Sequence, residues 1–246
     1  LAFDPKYALV HYNLATVLRS LGRLNEAEQA YKNAIESQPE NPLFYGGLGR
    51  LYVAMDHTEA AMAAFAEAIE RSSTDVAIYL LLGQFYVERG QRAEALTTYD
   101  VLMQQPRPIA RADHYAAIGA NLHVLGQPER ALVAYRRALE LDPNNAPTHT
   151  NLGWLLSAQG RYGEAIEHYS VALANAPNAT AQFNMGLAHM ALGDFAAAHR
   201  VYALGVARFG AEEAQRIGAV DDLRALLAKS ASAEEIRRLL NEFWPQ

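Results

Sequence analysis

The side chains of this 246-residue chain that could do chemistry are eight histidines, twenty-seven carboxylates and a scatter of asparagines. Two histidines one helical turn apart, with a glutamate between them, would hold a catalytic zinc. No His-Glu-x-x-His run occurs, and His189 and His199 stand ten apart without a flanking ligand pattern. Glu164 and Glu167 sit together where a helix is expected to start, a place where acids suit the helix dipole without any catalytic role. A phosphate-cradling glycine loop and a nucleophile elbow are missing too. Cysteine is absent, which removes disulfides, thiolate metal sites and thiol nucleophiles together. The expectation is a non-enzyme with no cofactor and no metal. The asparagine amide remains: it donates and accepts at once, so it can pair with a peptide backbone whatever the peptide's sequence.

The elements that would position such groups show in composition and spacing. Hydrophobic residues make up 51% of the chain and charged residues 20%, enough apolar material for a continuous core. The net charge of −6 offers neither nucleic acid nor an anionic membrane a basic footprint. Lysine stands only at Lys6, Lys32 and Lys229, with arginine elsewhere, a hint of a GC-rich bacterial source. No apolar stretch approaches the ~20 residues of a membrane span. An alanine recurs at Ala27, Ala61, Ala95, Ala131, Ala165 and Ala198, in steps of 34, 34, 36, 34 and 33. Four residues after each comes an aromatic: Tyr31, Phe65, Tyr99, Tyr135, Tyr169 and Tyr202. Twelve residues before each sits a small residue: Ala15, Gly49, Gly83, Gly119, Gly153 and Gly186. Five residues before each falls a turn residue, Gly22, Asp56, Gly90, Gly126, Gly160 or Gly193.

These positions resemble the tetratricopeptide repeat, a helix pair of about 34 residues with small residues, an aromatic and a closing proline at fixed places. Pro39, Pro143 and Pro177 supply that proline here. The resemblance implies an all-α, right-handed α-solenoid of six helix-turn-helix repeats, at 8–41, 42–75, 76–111, 112–145, 146–178 and 179–212. Residues 1–7 would be the tail of a preceding repeat, since Leu1–Pro5 looks like Leu139–Pro143, and the sequence is then part of a longer array. Residues 213–246 would form capping helices: one over 213–229, then a capping box at Ser232–Glu235 opening a second. That cap is expected to solvate the array end, with docking of Phe243 and Trp244 onto a partner as the alternative. Small residues let helices A and B cross closely, with Gly153 and Ala165 as such a pair. The aromatics would fill the volume between successive repeats. His11 and His149 fall at position 4, where bulky residues stand elsewhere, and read as packing residues. Gln104–Pro108, with two extra residues before the fourth repeat, predicts a change of superhelical angle around 103–111. A boundary between two three-repeat lobes is the alternative.

The resemblance also implies a concave groove lined by helix A, binding an extended or helical segment of a protein partner. The inward positions map onto Tyr12 and Asn13, Arg50, then Leu80, Leu81 and Gln84. Further along they are Asn151, Trp154, Phe183, Asn184 and Leu187. Position 6 is asparagine at Asn13, Asn151 and Asn184, a partial ladder similar to that of O-linked N-acetylglucosamine transferases, broken by Gly47, Leu81 and Ala117. Trp154 and Phe183, flanked by Asn151 and Asn184, form the expected hot spot, because aromatics dominate interface energetics. The leading expectation is a protein-interaction scaffold with a protein or peptide partner, no nucleic acid and no membrane insertion. A substrate-selecting arm of a larger enzyme, such as an O-GlcNAc-transferase-like glycosyltransferase, is the second reading, and a self-assembling homo-oligomer is the third.

Overall fold

The computed structural model describes residues 5–71, 76–104, 111–227 and 233–245. Fifteen α-helices and no strand occur among the described residues. Twelve of the helices follow one another as six helix hairpins. These are α1 (Pro5–Ser20) with α2 (Leu24–Ser37), α3 (Pro42–Ala54) with α4 (Thr58–Arg71) and α5 (Val76–Glu88) with α6 (Arg92–Met103). The others are α7 (Ala112–Val124) with α8 (Pro128–Leu141), α9 (Ala146–Ala158) with α10 (Tyr162–Asn175) and α11 (Ala179–Ala191) with α12 (Phe195–Phe209). Helix α1 begins at Pro5, ahead of residue 8, because proline fits the first helical position, whose N–H would have no partner anyway. The chain divides into two compact units, residues 1–109 with 124–126, and residues 110–123 with 127–246. The change of angle expected near 103–111 falls largely on residues 105–110, outside the described residues.

Each hairpin turns on a residue in the left-handed region. Gly22, Gly90, Gly126, Gly160 and Gly193 take φ between 62° and 78°, and Asp56 takes 60°. For an ordinary L residue that conformation costs ~1–2 kcal/mol, which explains glycine at five of the six turns. Asp56 is compensated by an ion pair to Arg89 of the following repeat.

The hairpins close on a recurring contact between a bare backbone and an aromatic ring. A Cβ added to Gly153 would stand 2.7 Å from the Tyr169 ring. The same holds for Gly49 under Phe65 (2.7 Å), Gly83 under Tyr99 (2.6 Å), Gly119 under Tyr135 (2.7 Å) and Gly186 under Tyr202 (2.6 Å). Each ring lies first on helix A of its own repeat, which refines the expectation that these aromatics fill the space between repeats. The cluster around Tyr31 then extends to Leu48 and Leu51 of the next repeat. Burial pushes the Tyr135 and Tyr169 hydroxyls up to about 12.

Beyond α12 lie α13 (Ala211–Arg216), α14 (Ala219–Leu227) and α15 (Ala233–Phe243). The single helix expected over 213–229 is broken at Ile217 and Gly218, where Gly218 takes φ 81°. Ser232, the start of the expected capping box, lies outside the described residues. Val220, Leu223, Ile236, Leu239 and Trp244 share one core cluster with Phe183 and Met190. Trp244 is buried, and its indole N–H donates to the Ala211 carbonyl at 3.0 Å. The alternative of Trp244 docking onto a partner is thereby corrected: its ring is already packed within the chain.

Gly153→Ala should destabilise the second unit by about 1–3 kcal/mol, the cost of overpacking against the Tyr169 ring. Gly163→Ala, with nothing within 4 Å of the added methyl, should instead stabilise it by up to about 1 kcal/mol. Urea unfolding of the two variants beside the parent measures both signs.

Candidate functional site

In the first unit, the helix-A residues expected to face a partner differ in how much they offer. Asn13, Arg50 and Gln84 are exposed, whereas Tyr12, Leu80 and Leu81 are half-buried. The Tyr12 ring stands edge-on to Tyr31 at 5.7 Å and beside Phe44 at 5.5 Å, and burial raises its pKa. Gln84 already donates to Glu88 at 2.9 Å. The asparagine series breaks at Gly47 for a visible reason. A Cβ there would meet Tyr31 at 2.6 Å and Tyr12 at 2.9 Å, so no side chain fits.

The second unit holds Asn151, Trp154, Phe183, Asn184 and Leu187. Asn151 and Trp154 are exposed, Trp154 by 45%, and Asn184 and Leu187 are half-buried. Asn151 makes no side-chain hydrogen bond among the described residues. Asn184 lies near the Tyr169 hydroxyl and lowers its pKa against the larger effect of burial. Phe183 is wholly buried against Tyr202 and Trp244, at ring distances of 5.9 and 6.5 Å. The expected hot spot is corrected at this residue: the C-terminal helices cover Phe183, and no partner can reach its ring. Spacing placed Phe183 on the inward face, but the face is occupied from within the chain.

Trp154 opens onto a cleft of about 330 Å³ between α9, α11 and α14. Its polar lining comes from Ser157, Asn184 and Tyr169, whose hydroxyl lies 3.4 Å from the Ser157 hydroxyl. Leu187, Ala191 and Leu226 form apolar walls. Asp222, on the first turn of α14, stands at the rim. Burial and the neighbouring Asp221 hold its pKa above the ordinary carboxylate range. His123 packs edge-on against the Trp154 indole at 4.6 Å. Sequence reasoning missed Asp222, because residues past 212 carry no repeat position from which to read a facing direction.

Four of the histidines are engaged within the fold. His189 faces Asp194 at 3.5 Å and His199 faces Glu242 at 2.9 Å, so the two do not share a ligand. Among the described residues no three His, Asp or Glu side chains gather as a metal ion would require. Glu164 is taken by Arg161 at 2.6 Å, which holds its carboxyl below the usual range. His149 is buried, as its packing position suggested, and its Nε2 lies 2.9 Å from the Pro143 carbonyl. A carbonyl only accepts, so Nε2 carries the proton and Nδ1 of the neutral ring is a lone pair. His168 Nδ1, 2.8 Å away, must therefore be the donor.

Tetratricopeptide-repeat profiles match residues 2–42, 12–76, 53–118, 115–145, 134–167 and 179–203. The chain belongs to the tetratricopeptide-repeat family. The SPINDLY UDP-N-acetylglucosamine–peptide N-acetylglucosaminyltransferase of Hordeum vulgare is 27% identical over 168 residues, 66% of this chain and 18% of that protein. The protein O-mannosyl-transferase TMTC1 of Homo sapiens is 28% identical over 167 residues, 67% of this chain and 19% of that protein. The chain thus spans about a fifth of the length of these relatives. Among solved structures, Pseudomonas aeruginosa PilF superposes with a TM-score of 0.65 at 15% identity, covering 96% of this chain and 98% of its own. YrrB, described as a repeat protein with an unusual peptide-binding site, superposes at 0.55 with 22% identity, covering 86% and 97%. At these identities the likeness establishes a shared fold, an all-α tetratricopeptide solenoid. No helix among the described residues is long and apolar enough to cross a membrane.

Burial and the His149 ring hold the His168 pKa below its ordinary value, while Glu164 and Glu167 pull the other way. The unfolded chain therefore takes up a proton at this residue before the folded one does. Stability from this pair should be full above about pH 6.5 and fall as the pH drops through that value toward the lower folded pKa. Thermal unfolding at pH 7.5 and 5.5 should show a smaller drop for His168→Gln than for the parent.

Proposed function

We propose that the chain is an interaction scaffold whose helix-A faces bind a peptide segment of a protein partner, with the main grip in the second unit around Asn151 and Trp154. The observation that carries this reading is Trp154, a large indole left 45% exposed and lining a cleft that polar groups also line. Indoles lose water favourably when a partner covers them, and interface hot spots are enriched in them. Asn151, one turn before Trp154, keeps a free amide that can pair with a peptide backbone. In the first unit, Asn13, Arg50 and Gln84 offer polar contacts, and Tyr12, Leu80 and Leu81 a half-buried apolar strip.

A second reading draws support from the relatives. The protein from Hordeum vulgare and the human one are named as glycosyltransferases, and this chain matches about a fifth of each. In that reading the repeats select substrates for a catalytic domain carried on the same polypeptide. A reading frame without such a domain would remove it.

Selection of displayed random peptides on the immobilised protein tests the first reading. Peptides that bind the parent should lose at least about tenfold in affinity to the Asn151→Ala, Trp154→Ala double variant, as expected when a hot-spot indole is truncated. Both positions are exposed, so the variant should keep the parent's unfolding midpoint. Equal binding by parent and variant would rule this face out.

A further inference from the structure

The cleft beside Trp154 carries a chemical preference of its own. Among the described residues Asp222 is the only charged one lining it, with no lysine or arginine beside it. Its neighbour Asp221 is paired with Arg224 at 3.1 Å, but the Asp222 carboxylate makes no ion pair or side-chain hydrogen bond among the described residues. The lining combines an exposed indole, aliphatic side chains from Leu187, Ala191 and Leu226, and one exposed carboxylate without an ion pair among the described residues. Its volume of about 330 Å³ falls at the small end of the ~300–1,000 Å³ typical of ligand pockets.

We propose that this cleft is a specificity pocket for a basic side chain, arginine above all, of the bound peptide, with Asp222 as its counter-charge and Trp154 as its aromatic wall. The assignment rests on the peptide-binding reading of the same face. Three properties of the ligand follow from the lining. A long aliphatic stem matches the apolar walls and leaves its charged end at the rim, as lysine and arginine stems do elsewhere. A guanidinium is attracted to an indole face and meets a carboxylate with two parallel donors, which a lysine ammonium cannot do. A neutral side chain would cover Asp222 without neutralising it, and burying an unpaired carboxylate is costly. An acidic side chain would meet like charge. The raised proton affinity of Asp222, from partial burial and the like charge of Asp221, agrees with a site that a cation would relieve.

The test uses peptides selected on the parent protein, with each bound peptide then remade with norleucine in place of its arginine or lysine. A basic residue should be enriched at one peptide position, and the norleucine peptide should bind about tenfold more weakly by fluorescence anisotropy, the order expected for a partly desolvated charge pair. Asp222→Asn, an exposed substitution, should reproduce that loss, and the two changes together should cost no more than either alone. Asp222→Lys should move the preference to glutamate or aspartate at the same position. Peptides that need Trp154 but show no basic position, or that bind Asp222→Asn as tightly as the parent, would overturn the basic-side-chain assignment and leave the peptide-binding face standing. Peptides indifferent to Asn151→Ala, Trp154→Ala, or a selection that yields none, would remove both.

Discussion

An aromatic ring laid on a stretch of helix without a side chain is the contact on which five of the six repeats are built. The ring on helix B and the glycine on helix A define the distance between the two helices, and that distance defines where the rest of each helix points. Glycine inside a helix costs up to about 1 kcal/mol relative to alanine, yet it recurs at Gly49, Gly83, Gly119, Gly153 and Gly186. The cost is offset because a fully or nearly fully buried ring contributes roughly 1.5–3 kcal/mol. Tyr99 and Tyr202 show how strongly this packing dominates: each keeps a buried hydroxyl without a hydrogen-bond partner in order to hold its ring in place.

Much of this was legible in the sequence because a repeat prints the same constraint many times. Six aromatics at one offset and six small residues at another leave little freedom in the choice of architecture. The turn glycines were legible for an equally local reason, since a positive φ selects for glycine whatever surrounds it. Tertiary detail was not. That the Tyr169 ring sits on Gly153 of its own hairpin is a matter of side-chain direction, which spacing does not encode. The break at Gly218 was missed because an apolar stripe from Val220 through Leu223 reads the same whether or not the helix in front of it is continuous.

The binding face divides along the same line. Trp154 and Asn151 could be placed on helix A from repeat position, and both are exposed. Phe183 could not, because its cover comes from helices that have no repeat register. The same blindness hid Asp222, the acid those helices contribute to the cleft. A position in a repeat states which way a residue points; it does not state what has already been folded against it.

The C-terminal helices also impose a direction on whatever lies along the second unit. Phe183 and Met190, on the helix-A face of the sixth repeat, are sealed beneath α13–α15, and α14 stands against α11. A chain running along α9 toward α11 meets that helix as a wall. The cleft beside Trp154 is bounded on that side by Asp222, Ala225 and Leu226 of α14. A peptide held there in the proposed mode would pack against the C-terminal helices as well as against the repeats.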